Sequence, residues 1–98
     1  MTCERGAILD KAKAIINGER QDAYGKPEDA FAVIGAYWTT YLGSKLQPGA
    51  SVSAGDVSLL MVLLKIAREA HQHKEDNLVD AAGYLALYAD MAAGEGNP

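Results

Sequence analysis

The chain reads as an all-α protein, a compact bundle of about four helices, on three observations. Apolar residues recur at three- and four-residue steps in four blocks. Glycine and proline signals separate those blocks. No internal repeat or low-complexity segment is visible.

The first block, from about Glu4 to Asn17, carries its stripe on Ala7, Ile8, Ala12, Ile15 and Ile16, and Gly18 stops it where a left-handed residue is wanted. The connector GERQDAYGK leads to Pro27, whose fixed φ suits a first helical turn. Glu28 and Asp29 follow, where negative charge complements a helix N-terminus. The spacing predicts a second helix from Pro27 to Leu42, ended by Gly43, with Phe31, Ile34, Trp38 and Tyr41 as its core stripe, and SKLQPGASV as a loop.

Ser53 with Asp56 three residues on is a capping box with the shorter acid, and it opens a third helix reaching about Gln72. From Val57 to Ala67 this helix is apolar on nearly every side, which predicts that it is the central, buried one. After a turn at His73 to Glu75, a fourth helix is expected from Asp76 to Ala93. Leu78, Ala82, Leu85 and Ala89 lie on one of its faces; Asn77, Asp80, Ala81, Tyr84 and Tyr88 lie on another. Gly94 closes it and residues 94–98 read as a flexible tail.

Ninety-eight residues, about half of them apolar, make a single domain small enough that much of its apolar surface wants a partner chain, so a homo-oligomer is expected. The small residues Ala81, Ala82, Gly83 and Ala86 permit close approach of another helix, in the bundle or in a dimer. Nine Lys plus Arg against thirteen Asp plus Glu exclude a broad phosphate-tracking surface for duplex nucleic acid. The longest apolar run, Leu59 to Leu64, is too short to span a bilayer, no secretory signal opens the chain, and the lone Cys3 fits a reducing compartment, so a cytoplasmic protein is expected.

Absences narrow the chemistry. There is no Walker loop, G-x-G-x-x-G, C-x-x-C or nucleophile elbow. His71 and His73, two apart, point in different directions on a helix and make a poor metal pair.

The informative stretch is the hairpin of helices three and four. A turn centred near Lys74 sets residues whose numbers sum to about 148 side by side: Arg68 by Asp80, Gln72 by Asp76, Lys65 near Gly83 and Tyr84. Lys65, Arg68 and Gln72 share one face; Asp76, Asp80 and Tyr84 share the facing one. Cations on the most apolar helix need an anion. Either Asp80 neutralises Arg68, with Lys65 joining, or the surplus cations hold a ligand phosphate, Arg as a planar fork and Lys as a mobile point charge. In the first connector, Arg20 and Tyr24 offer a further phosphate donor and a base-stacking surface, against the plainer reading of a polar turn. Trp38, Tyr37, Tyr84 and Tyr88 are weighed the same way, as core or interface packing against base stacking.

The helix order and the DNLVDAAGYLALY hairpin resemble the MazG-like all-α nucleoside triphosphate pyrophosphohydrolases. ERQDAYGKPEDAF, KIAR and DNLVDAAGY, over roughly residues 18–90, resemble more closely a group of small phage and prophage proteins of uncharacterised function. The first resemblance implies a magnesium site built from E-x-x-E on one helix and E-x-x-D on the next, because a hard dication wants several converging oxygens. At those positions stand Lys65 and Arg68, then Asn77 and Asp80, so only Asp80 remains a carboxylate.

Cations in place of metal ligands bind phosphate without supplying an activated water. The expectation is a non-hydrolysing binder, without cofactor, of a phosphorylated nucleotide or nucleotide-derived signal, sequestered in the host cell. Lys65, Arg68, Asp80, Arg20, Tyr24, Asp76, Asn77 and Tyr84 are the ligand-binding set. The alternatives are a Mg²⁺-dependent pyrophosphohydrolase using Asp80, Asp76 and Glu69, helped by Glu28 or Asp29, and a non-catalytic structural or interaction protein.

Overall fold

The computed structural model describes residues 4–18 and 26–94. Among them the chain forms four α-helices, one 3-10 turn and no strand. The helices are α1 (Glu4–Asn17), α2 (Pro27–Leu42), α3 (Ala54–His71) and α4 (Glu75–Gly94); the 3-10 turn, Gly43–Lys45, runs from the predicted helix stop into the start of the predicted loop.

Three pairings make the bundle: α3 on α4, α2 on α3 and α1 on α4. The α3–α4 hairpin is its spine. On α1, Ala12 is buried and Ile8, Ile15 and Ile16 are half-buried against α4, where Ile16 Cγ2 lies 3.3 Å from the point a Cβ on Gly83 would occupy. The small-residue face of α4 therefore accommodates α1 of the same chain. An ion pair from Lys11 to Glu75, in the first turn of α4, ties down the same contact.

Pro27 opens α2, with Glu28 and Asp29 in the first turn, and Gly43 ends it at φ 47°, a conformation that costs an L side chain more than it costs glycine. Phe31, Ile34 and Trp38 are half-buried, but Tyr41 is 81% exposed, so the predicted core stripe is one residue too long. Gly35 is buried where α2 crosses the segment leading into α3. There Thr39 Oγ1 donates to the Gly35 carbonyl at 2.7 Å and accepts from the Val52 N–H at 2.8 Å.

The capping box opens α3 as predicted: the Asp56 N–H donates to Ser53 Oγ and the Ser53 N–H to Asp56 Oδ2, both at 3.0 Å. The expectation that α3 is buried all round is not met. Gly55, Val57, Ser58 and Val62 face inward, while Leu59, Leu60, Leu63, Leu64 and Ile66 face out. Like α3, which lies between α2 and α4, α4 has two neighbours, α1 and α3. It buries Asn77, Val79, Gly83 and Met91, and its other expected apolar face, with Leu78 and Leu85, is the exposed one. Periodicity finds a stripe; which stripe is covered depends on the face at which each neighbour packs.

Candidate functional site

The α3–α4 turn spans Gln72, His73 and Lys74, and so centres on His73. Residues summing to about 146 then lie side by side, which sets Lys65 beside Ala81, next to Asp80. The ion pair is accordingly Lys65 Nζ to Asp80 Oδ2 at 3.0 Å, with the two side chains 13% and 25% exposed. Arg68, expected to be the partner of Asp80, is exposed and faces the far end of the hairpin. Of the two cations on α3, one is spoken for and the other is open.

Glu69, one residue on, organises the turn. Its carboxylate accepts from the Lys74 backbone N–H at 3.0 Å, from Asn77 Nδ2 at 3.2 Å and from the His73 ring. The His73 bond, then that from Lys74, holds the Glu69 carboxyl below the usual carboxylate range. In return the Glu69 hydrogen bond and charge raise the His73 imidazole above its ordinary value. Asn77 is buried, spending its amide on Glu69 and, at 3.5 Å, on the Gln72 carbonyl.

Around this turn lies an open hollow of about 430 Å³, lined by Ala67, Arg68, His71, Gln72, Lys74 and Asn77. Its lining combines two permanent cations, an imidazole and two side-chain amides, and includes no carboxylate. A smaller hollow of about 150 Å³ where α1 ends and α2 begins sets Lys26 against Glu28 and Asp90, so its carboxylates outnumber its one cation.

The other predicted site residues scatter. Asp76 is exposed and does not line the larger hollow. Tyr84 turns its ring into the bundle, 6.0 Å from the Phe31 ring at a 36° tilt, and its carbonyl accepts from Ser58 Oγ at 2.7 Å. Arg20 and Tyr24 lie outside the described residues. Glu69, Asp76 and Asp80 do not converge: among the described residues no three His, Cys, Asp or Glu side chains come together as a metal-holding group. Sequence reasoning missed Lys74, His71 and Gln72 as lining residues. The run His71–Lys74, three basic residues in four at a helix end, was the available signal.

Sequence comparison places this four-helix chain among phage proteins. Residues 7–92 match the family described as a domain of unknown function (DUF6378), and the chain belongs to that family. The Gene 55 protein of Mycobacterium phage L5 is 35% identical over 86 residues, covering 87% of this chain and 52% of its own length. The Gene 55 protein of Mycobacterium phage D29 is 34% identical over 94 residues, covering 91% of this chain and 58% of its own. The chain thus spans little more than half the length of these relatives. No solved structure matches. The resemblance to phage proteins of uncharacterised function holds, and these matches do not extend to the MazG-like enzymes.

Proposed function

We propose that the protein binds a phosphorylated small molecule of the nucleotide class at the α3–α4 turn, with Arg68 and Lys74 as the phosphate donors. The observation that supports this is the hollow lined by two cations, His71 and two amides with no carboxylate among them. A guanidinium fork and an ammonium on one concave surface suit phosphate oxygens, and the volume suits a small ligand. Lys65 acts behind the site by holding Asp80, which keeps that acid occupied.

Arg68 and Lys74 offer charge to hold phosphate without the converging carboxylates that would bring a hydrolytic magnesium, and on this reading the ligand is held and not cleaved. Sequestration, the removal of a nucleotide or nucleotide-derived signal from circulation, follows from that chemistry. It also fits a family with members in phages. The hydrolytic alternative lacks converging carboxylates among the described residues.

The test is a thermal-shift panel of nucleoside mono-, di- and triphosphates, cyclic nucleotides and ADP-ribose in EDTA, followed by calorimetry on any member that raises the melting temperature. Binding that survives EDTA and weakens about tenfold or more in Arg68→Ala is expected, since a charge-assisted bond contributes about 1.5–3 kcal/mol. No shift across the panel, or affinity unchanged from the wild-type protein in both Arg68→Ala and Lys74→Ala, overturns the proposal.

A further inference from the structure

The Glu69 carboxylate stands directly behind the hollow at the α3–α4 turn without lining it. Its Oε1 accepts from the Lys74 backbone N–H and from Asn77 Nδ2, and both of those residues line the hollow. Its Oε2 faces Nδ1 of the His73 ring. The Glu69 side chain is 27% exposed and its oxygens are held by these bonds, whereas the imidazole is 71% exposed and exchanges protons with solvent. A bare negative charge so close behind a wall that takes an anion weakens the anion's binding unless it is balanced. His73 is the balancing group.

We propose that the Glu69–His73 pair sets the charge behind the hollow and so makes its hold on a dianion proton-dependent. The proposal rests on the anion-binding reading of the hollow and adds the regulation of that site. With the imidazole protonated the pair is neutral, and Arg68 and Lys74 act on the ligand unopposed. The proton that leaves as pH rises is the outward one, on Nε2, and the tautomer that remains keeps its Nδ1–H on Glu69. The turn therefore holds its shape while the pair gains one unit of negative charge behind Lys74 and Asn77. The device works through the electric field and not through unfolding.

Charges on each neighbouring element favour the protonated ring. The hydrogen bond and charge of Glu69 on α3 come first, then the charges of Glu4 on α1 and Glu75 in the first turn of α4, and together they raise the imidazole above its ordinary value. Glu75 is shared with Lys11 of α1, and Asp76 follows it in the same turn. The opposing cations are those of the hollow, Arg68 and Lys74, with His71 as a second imidazole. An anion in the hollow offsets these cations, so by reciprocity a bound dianion raises His73 further. Affinity is full below the raised His73 value and falls as pH climbs through it.

Sulfate is the probe, because it carries two negative charges without titrating in the window where a phosphate group does. Its binding is followed by NMR at the hydrogen-bonded amides of Lys74 and Asn77, at about pH 5.5 and about pH 8.5, against sodium chloride at equal ionic strength. His71→Gln is the reference protein, since it removes the imidazole that lines the hollow itself. In it, sulfate should bind about threefold or more weakly at the higher pH. Adding His73→Gln, whose amide can still donate to Glu69, should make the two affinities equal. In the reference protein the His73 midpoint should rise in saturating sulfate, and rise less once Arg68→Ala is added. Equal binding at the two pH values in His71→Gln, a pH dependence that survives His73→Gln, or a His73 midpoint that sulfate does not move overturns the inference and leaves the hollow an anion site. Sulfate that moves neither amide at either pH removes the anion site as well, and the nucleotide reading with it. If the double variant does not fold, the His73 midpoint in the reference protein decides.

Discussion

Replacing Gly35 by alanine sets two effects of known size against each other. In a helix interior alanine is favoured over glycine by about 1 kcal/mol. At this position, however, a Cβ would lie 2.4 Å from the Val52 carbonyl oxygen, 3.3 Å from its carbon and 3.4 Å from the Ser53 oxygen. All three atoms are backbone, so no rotamer change relieves the clash; α2 and the 52–53 segment must separate by about 1 Å, and such overpacking costs about 1–3 kcal/mol. Separation also stretches the bond from the Val52 N–H to Thr39 Oγ1, worth about 1 kcal/mol. The expected net result is destabilisation of about 1–3 kcal/mol, read as a melting temperature lower by at least about 5 °C. Far-UV circular dichroism melts at one fixed protein concentration make the comparison, because association would move the midpoint. Ala32→Gly, on the exposed face of the same helix, measures the propensity effect alone. A melting temperature unchanged or raised in Gly35→Ala would refute the close approach of α2 to the entry of α3.

Asp80→Asn removes the charge that balances a largely buried ammonium and should cost about 2 kcal/mol in a denaturant titration, whereas Lys65→Met with Asp80→Leu should be close to neutral; equal losses in the two would contradict the pairing. The turn should be pH-sensitive in a defined window. His73, raised, contributes stability that is complete below its unfolded value and fades as pH climbs through the higher folded value. Glu69, lowered, contributes stability present above its ordinary range and lost as pH falls through the lower folded value. The pair is therefore strongest between roughly pH 4.5 and 6.5. In Glu69→Gln the His73 midpoint, followed by NMR, should drop; a midpoint that stays put removes the hydrogen bond from the account.

How much of this was legible in the sequence depends on whether a feature is local. The limits of α1 and α2, the proline at the start of α2, Gly43 at its end and the Ser53–Asp56 box are set by backbone rules acting within a few residues, and all are found as read. The ends of α3 and α4 differ by one residue, at a turn whose capping comes from Glu69, five residues back from Lys74. Features that depend on neighbours were harder to read. An apolar run in α3 signals apolar surroundings, but not whether the same chain supplies them, so half of that surface faces out. Pairing across the hairpin turned on where its centre falls: moving it from Lys74 to His73 exchanged Arg68 for Lys65 as the partner of Asp80 and freed Arg68 for the hollow.

Leucine, valine and alanine surfaces slide past one another with little to choose between neighbouring offsets, so an α3–α4 seam built from them alone would tolerate several alignments. Ser58, wholly enclosed in the middle of α3, donates to the Tyr84 carbonyl across that seam. A directional bond in a dry place is satisfied at one offset and forfeited at the others. It acts as a detent on otherwise smooth surfaces, and the alignment it selects brings Lys65 to Asp80.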